Sequence, residues 1–253
     1  MSDRPGPKIW GRLVRGPDML IAEPVAPGVT RLSEAILTPP ERSYFYLVEG
    51  RDRDCLIDGG WGFSRSLDKL RPHPGKPLVA IATHSHFDHI GMLHLAPERL
   101  GHRAEASVFA DPDPLRTQAL PFLADRPVLV GHACLQADSI EQQPCPLTGM
   151  VDEGAAVDIG GGVILRVLHT PGHSPGSLSI LCERLGLLFC ADTLHDGYIY
   201  DAIPGADRLS LLRSHERLRE TGFAIACPGH GAVLDRAAAV EVMDGYRSGN
   251  CIV

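Results

Sequence analysis

The chain has 253 residues, 44% of them hydrophobic, enough to bury a sizeable core as one large domain or two small ones. Its formal charge is −7, with 24 Lys+Arg scattered and no basic block, which argues against the concentrated positive surface that nucleic acid requires. Seven cysteines without a C-x-x-C sit mostly in apolar runs such as SILCE and LLFCAD, the usage of small buried hydrophobes in a reducing compartment rather than of a disulfide framework. The N-terminus has no apolar signal region and no stretch approaches the ~18 to 20 apolar residues of a membrane span, so the expected location is cytoplasmic.

In chain order, TRLSEAIL, SYFYLVEG and DCLIDGG read as short strands between Pro and Gly punctuation. Ser64 to Arg71 reads as a short helix, and LVAIAT as a strand buried on both faces. The stretch from 115 to 151 has several prolines and no clear period; inside a compact domain it is either a functional lid or a surface excursion. GVILRVLHT, SLSILCE, LGLLFCAD and FAIACPGH are further strands, each running into polar or Gly-rich residues. Asp207 to Glu220 and Arg236 to Arg247 read as helices, the first with Leu211, His215 and Leu218 on one stripe. Strands followed by helices, twice over, imply an α/β layered fold.

THSHFDH, Thr83 to His89, follows the LVAIAT strand directly. Residues two apart on an extended strand end project to one side, so His84 and His86 can share an ion. Asp88 and His89 follow where the chain turns, and imidazole nitrogen with carboxylate oxygen suits zinc, iron or manganese. Alone, the heptapeptide fits a solvated polar turn as well as a metal site. His173, Asp192 and His230 stand at three other strand exits, in HTPGHSPGS, CADTLHDG and CPGHG, and core packing does not account for that recurrence.

Taken together, H-x-H-x-D-H, P-G-H-S, A-D-T and P-G-H resemble the metallo-β-lactamase superfamily over about residues 43 to 247. The resemblance implies a four-layer αββα sandwich, here a single domain over residues 1–253 with a substrate-cap insertion expected at about 115–151. It implies two divalent metal ions, zinc first, iron or manganese otherwise. His84, His86 and His173 would hold one, Asp88, His89 and His230 the other, and Asp192 would bridge them. Asp58 matches a position that supports the ligands, or is simply a strand-ending residue before Gly59-Gly60.

Two such metals hold a hydroxide nucleophile, so hydrolysis of a small-molecule substrate is the default reaction, and no cysteine is assigned a role. His86 stands where oxygen-reducing di-iron members would carry a glutamate, and Asp192 where many antibiotic-hydrolysing members place a cysteine. The wording around PLVAIATHSHFDH and DTLHDGYIYD looks closest to the acyl-CoA thioesterase branch. A thioester or activated ester is the expected substrate; the alternatives are a lactone and, from another class, the chemistry of a mononuclear iron persulfide dioxygenase.

Asp88 is a candidate in catalysis, and His195, Tyr198 and Tyr200 are candidate proton donors near the bridging aspartate. Arg116, Arg126 and Arg208 are the cations at hand for CoA phosphates, and Leu120, Phe122, Leu123, Val128, Leu129 and Val130 could line an acyl tunnel. His73, His94, His102, His132, His169 and His215 read as structural or solvated.

Overall fold

The computed structural model describes residues 20–38, 41–64, 66–68, 71–125, 128–130, 133–135, 140 and 142–249. Strands β1 (Leu20–Ala26), β2 (Val29–Glu34), β3 (Phe45–Val48), β4 (Asp54–Ile57), β5 (Leu78–Ile81) and β6 (Glu98–Gly101) lie side by side in that order. A two-stranded hairpin, β7 (Val128–Val130) and β8 (Ala133–Leu135), comes next, and β9 (Gly149–Met150) joins the first sheet beyond β6. The second sheet runs β10 (Ala156–Asp158), β11 (Ile164–His169), β12 (Leu178–Cys182), β13 (Leu187–Ala191), β14 (Ile225–Pro228) and β15 (Leu234–Asp235).

The alternation of apolar residues along these strands dictates the layers. Tyr46, Val48, Cys55, Ile57, Val79 and Ile81 of the first sheet meet Leu165, Val167, Ile180, Phe189 and Cys227 of the second in one buried interior. The residues between them, Phe45, Leu47, Leu56 and Ala80, face outward and are covered by Ile90, Met92, Leu93 and Phe109. These come from short helical turns that include α1 (Phe87–Ile90) and α2 (Ala106–Ala110). On the far side, Leu168, Leu188 and Ala226 pack under Leu218, Ala239 and Met243 of two longer helices. At about 1.5 to 3 kcal/mol for each large side chain buried, both faces of each sheet contribute to stability. The result is the αββα sandwich.

Those two helices begin as the sequence requires. A short helix, α3 (Ala119–Asp125), precedes them; α4 (Arg208–Glu220) starts with the Asp207 side chain accepting from the Leu209 N–H at 3.0 Å, and α5 (Arg236–Arg247) with Asp235 accepting from Ala238 at 2.8 Å. The expected helix at 64–71 is absent from its described residues. Arg71 instead turns inward, its Nε 3.1 Å from the buried Asp54 carboxylate and its guanidinium on the Pro74 carbonyl at 3.1 Å, while Pro72 disfavours helical backbone before it.

The stretch from 115 to 151 contains α3, the β7–β8 hairpin and β9. Ala119, Leu123, Val128 and Ile140 pack on Leu37, Trp61, Phe63 and Phe87, and the buried Gln142 amide donates to the carbonyls of Trp61 (3.1 Å) and Phe87 (2.7 Å). Five cysteines are buried and free; the Cys134 side chain and Cys251 fall outside the described residues.

Strand direction fixes where the polar exits go. β4 and β5 are parallel, as are β13 and β14, and β11 shares the direction of β13 through two antiparallel steps. Asp58, the THSHFDH segment, His173, Asp192 and His230 therefore follow strand ends at one edge of the two sheets, which the Leu178 N–H to Thr83 carbonyl bond ties together at 2.9 Å.

Candidate metal centre and substrate cavity

The structure brings all seven predicted ligand residues together. Asp192 Oδ1 lies 3.1 Å from His89 Nε2, while its Oδ2 lies 3.5 Å from His173 Nε2, 3.3 Å from His230 Nε2 and 4.0 Å from His84 Nε2. His86 Nδ1 is 2.9 Å from His173 Nε2, and Asp88 Oδ2 is 3.2 Å from His230 Nε2 and 3.6 Å from His89 Nε2. Two compact triads result, His84–His86–His173 and Asp88–His89–His230, with Asp192 between them.

The backs of the rings are held, which fixes what their fronts offer. His89 Nδ1–H donates to Asp58 Oδ2 (3.0 Å), His230 Nδ1–H to the Arg42 carbonyl (3.1 Å) and His173 Nδ1–H to the Tyr200 carbonyl (3.1 Å). His84 Nδ1 contacts Thr83 Oγ1 at 3.0 Å, and Thr83 in turn donates its hydroxyl (2.7 Å) and amide (2.8 Å) to Asp58. Neutral rings held in this way present Nε2 as a lone pair. His84 Nε2, His89 Nε2 and Asp192 Oδ1 are buried without a hydrogen-bond partner. Orphaned acceptors of this kind are costly unless a cation satisfies them, so the residues fit divalent metal.

The neighbourhood sharpens this asymmetry. Burial, followed by the neighbouring histidines, holds His84 well below the usual imidazole range, pushes His86 down to about 3 and lowers His173. Burial opposes charge on His89 and His230 as well, but Asp192 and Asp88 outweigh it, raising His89 well above its ordinary value and His230 to about 10. The same partners hold Asp192 and Asp88 below the carboxylate range despite burial. The carboxylates thus act most strongly on His89 and His230, whereas burial dominates at His84, His86 and His173.

Backbone strain concentrates here. The non-glycine residues with positive φ among the described residues are Asp58 (62°), Gln118 (64°) and Ala191 (42°). Asp58 supports His89, Ala191 precedes Asp192, and Gln118 lines the adjoining cavity. Such positions cost about 1 to 3 kcal/mol each, and they cluster where geometry matters more than comfort.

A second grouping, His102–Asp152–His169, differs in kind although its polar atoms also lie close together. His102 Nδ1 accepts from the Ala104 N–H at 3.2 Å and its Nε2 faces Asp152 at 3.5 Å, while His169 Nε2 donates to the Pro175 carbonyl at 3.1 Å. With these nitrogens already engaged, the stacked pair, 4.2 Å between ring centroids, is structural. His215 is buried as well, donating to the Thr193 carbonyl, and His132 falls outside the described residues.

The centre floors a cavity of about 490 Å³, walled by Trp61, Phe87, Pro121, Phe122, Tyr200 and Ile203. Among the described residues no lysine or arginine lines it; the carboxylates in its lining are Glu41, Asp88 and Asp192, beside His86, His173, His195 and His230. Arg116 is engaged by Asp111 and Ser107, Arg208 by Asp201 and the Tyr246 ring, and Arg126 is outside the described residues. Of the apolar residues expected to form a tunnel, Phe122 lines the cavity, Leu123 and Val128 are buried beneath it and Leu120 is exposed; the side chains of Leu129 and Val130 are not described. His195 is buried on the cavity wall, and its Nδ1 accepts from the Gly197 N–H at 3.1 Å, which leaves the proton on Nε2. Tyr198, half exposed, and Tyr200 also line the cavity, 5.0 Å between ring centroids.

Sequence reasoning missed three buried groups that shape this site. Glu34, at the end of β2, accepts from the amides of Trp61 (2.8 Å), Phe63 (2.5 Å) and Ser64 (3.0 Å), and burial pushes it up to about 7 against those donors. Glu105 and Gln142 are the others. All three act across long stretches of sequence, and none has a local signature.

Two face-to-face sheets with helices outside and a buried histidine–carboxylate centre at one edge define a class of metal-centred αββα proteins. The chain belongs to the Metallo-beta-lactamase superfamily, whose sequence profile matches residues 38–230. It is 30% identical over 241 residues to the acyl-coenzyme A thioesterase MBLAC2 of Gallus gallus, covering 88% of this chain and 79% of that protein. It is also 30% identical over 201 residues to the probable metallo-hydrolase YqgX of Bacillus subtilis, covering 78% and 88%. Among solved structures, the metallo-beta-lactamase family protein TTHA1429 of Thermus thermophilus superposes with a TM-score of 0.67 at 23% identity, covering 88% and 80%.

Proposed function

We propose that this metal-dependent hydrolase holds two divalent cations and cleaves thioesters, or similarly activated esters, that carry an apolar acyl group. His84, His86 and His173 would hold one ion, Asp88, His89 and His230 the other, and Asp192 would reach both. The donor set accepts zinc, iron or manganese, zinc being the first expectation. Bound there, the ions supply Lewis acidity and a water acidic enough to ionise near neutrality.

The observation that carries the substrate class is the cavity: an aromatic and aliphatic wall above the centre with no lysine or arginine among the described residues that line it. An apolar acyl chain gains by leaving water against Trp61, Phe87 and Phe122. Asp88, on the cavity floor, orients the attacking water as an acceptor.

His195 points to the leaving group's chemistry. Its Nε2–H is a fixed donor, and burial together with nearby histidines pushes the ring down to about 3, so it gives a hydrogen bond without surrendering a proton at neutral pH. That suffices for a thiolate, which departs as an anion, and falls short for an alkoxide. Tyr198 and Tyr200 then serve as cavity wall. The MBLAC2 relatives are named acyl-coenzyme A thioesterases, which supports the same reading.

The test is a panel of acyl-CoA and acyl-N-acetylcysteamine thioesters, glutathione thioesters, lactones and phosphoesters on metal-reconstituted protein. Turnover is expected to be fastest on thioesters of apolar acids; lactone turnover with every thioester inert would reverse the assignment.

A further inference from the structure

We propose that Glu105 is a positioning residue that sets the three-histidine half of the centre, an inference that rests on reading His84, His86 and His173 as metal ligands. Glu105 follows β6 in a turn of helix, remote in sequence from every ligand, and is 4% exposed. Its Oε2 accepts from the Ser85 N–H at 2.6 Å, and Ser85 stands between His84 and His86. Its Oε1 accepts from the Gly176 N–H at 2.8 Å and from the Ser174 hydroxyl, next to His173. One carboxylate thus grips both ligand-bearing loops, one from each sheet.

The local sequence is fitted to this grip. A Cβ on Gly176 would lie 2.9 Å from Glu105 Cγ and Oε1, so only glycine lets that amide approach. Ser174 is fixed in turn by Ser177, whose Oγ accepts from the Ser174 amide at 3.0 Å and lies 2.8 Å from its hydroxyl. Two amides and a hydroxyl thus donate to the two oxygens of this buried carboxylate. Burying a carboxylate costs several kcal/mol, and charge-assisted bonds to two amides and a hydroxyl offset it only in this geometry. Loss of that geometry would let His86 Nδ1 and His173 Nε2, 2.9 Å apart, drift from a common point. The Asp88–His89–His230 half is braced independently, by Asp58 and the Arg42 carbonyl.

The test is zinc binding by the full chain, read by chelator competition, with thermal unfolding followed alongside. Glu105→Gln, which turns an amide donor toward an amide donor, is expected to weaken one of two zinc equivalents about 10- to 100-fold and leave the other unchanged. A double-mutant cycle locates the effect: it should vanish in a His84→Ala background and persist in His230→Ala. Equal weakening of both equivalents, or wild-type affinity for both, overturns the role of Glu105. If Glu105→Gln does not fold, Ser174→Ala, which removes the hydroxyl's bond to Glu105 together with its contact to Ser177, is read in the same way, and no preferential loss there also overturns it. A wild-type chain that takes up no zinc, iron or manganese overturns the reading of the centre, and Glu105's role with it; two tight zinc ions that ignore Glu105→Gln overturn only the latter.

Discussion

His215 shows how one buried imidazole links pH to stability. Its Nε2 donates to the Thr193 carbonyl at 2.5 Å, its Nδ1 has no partner, and burial pushes it from 6.5 down to about 4. Protonation would bury an unpaired donor, so the folded state resists it while the unfolded chain accepts it near 6.5. The contribution is fully present above pH 6.5 and is lost as pH falls toward about 4. The shift is worth on the order of 3 kcal/mol. Urea unfolding at pH 7.5 and 4.5 should therefore show a smaller loss for His215→Gln than for the wild-type chain, and equal losses would contradict this. Asp58 makes a different prediction. It braces both His89 and Thr83, so Asp58→Asn should lower metal affinity about 10- to 100-fold in a chelator titration. His195→Phe should leave metal content unchanged and cut kcat on thioesters about 10-fold or more, because it removes the hydrogen-bond donor to the reacting group along with the acceptor for the Gly197 N–H.

At the scale of elements, the strands were legible where both faces are apolar, since LVAIAT, SLSILCE and LGLLFCAD have nowhere to go but the interior. Helices α4 and α5 were legible from their caps. β1 and β6 were not: β1 carries Pro24 on an edge, and β6 is the polar ERLG, held by neighbours rather than by its own pattern. The seven proposed ligand residues were legible because they follow strand ends in short motifs, whereas Glu34, Glu105 and Gln142 were hidden because their partners lie 20 to 81 residues away. The outer layer gives an element-level prediction. Leu218 on α4 is fully buried against the second sheet, and Leu218→Ala should cost about 2 to 5 kcal/mol in urea unfolding without altering metal stoichiometry.

Over the whole molecule, a centre built from both sheets means that metal and fold are coupled. The proposed ligand residues follow the β5, β11, β13 and β14 exits, so cations that bind the folded chain would stabilise it by mass action. Chelation should lower the melting temperature and abolish hydrolysis together, and re-addition of zinc should restore both. The cavity acts at the same scale: α3 carries Phe122 to its wall while Leu123 anchors the insertion on Trp61 and Phe87. The segment 115–151 is thereby proposed as the substrate cap. Among the described residues no helix is long and apolar enough to cross a membrane. The most direct test of the central claim is metal content measured on the same sample as thioester turnover, for wild type, His84→Ala and Asp192→Ala. Two equivalents per wild-type chain, with turnover lost in both variants, is the predicted result; full turnover by either variant, or by metal-free protein, would contradict it.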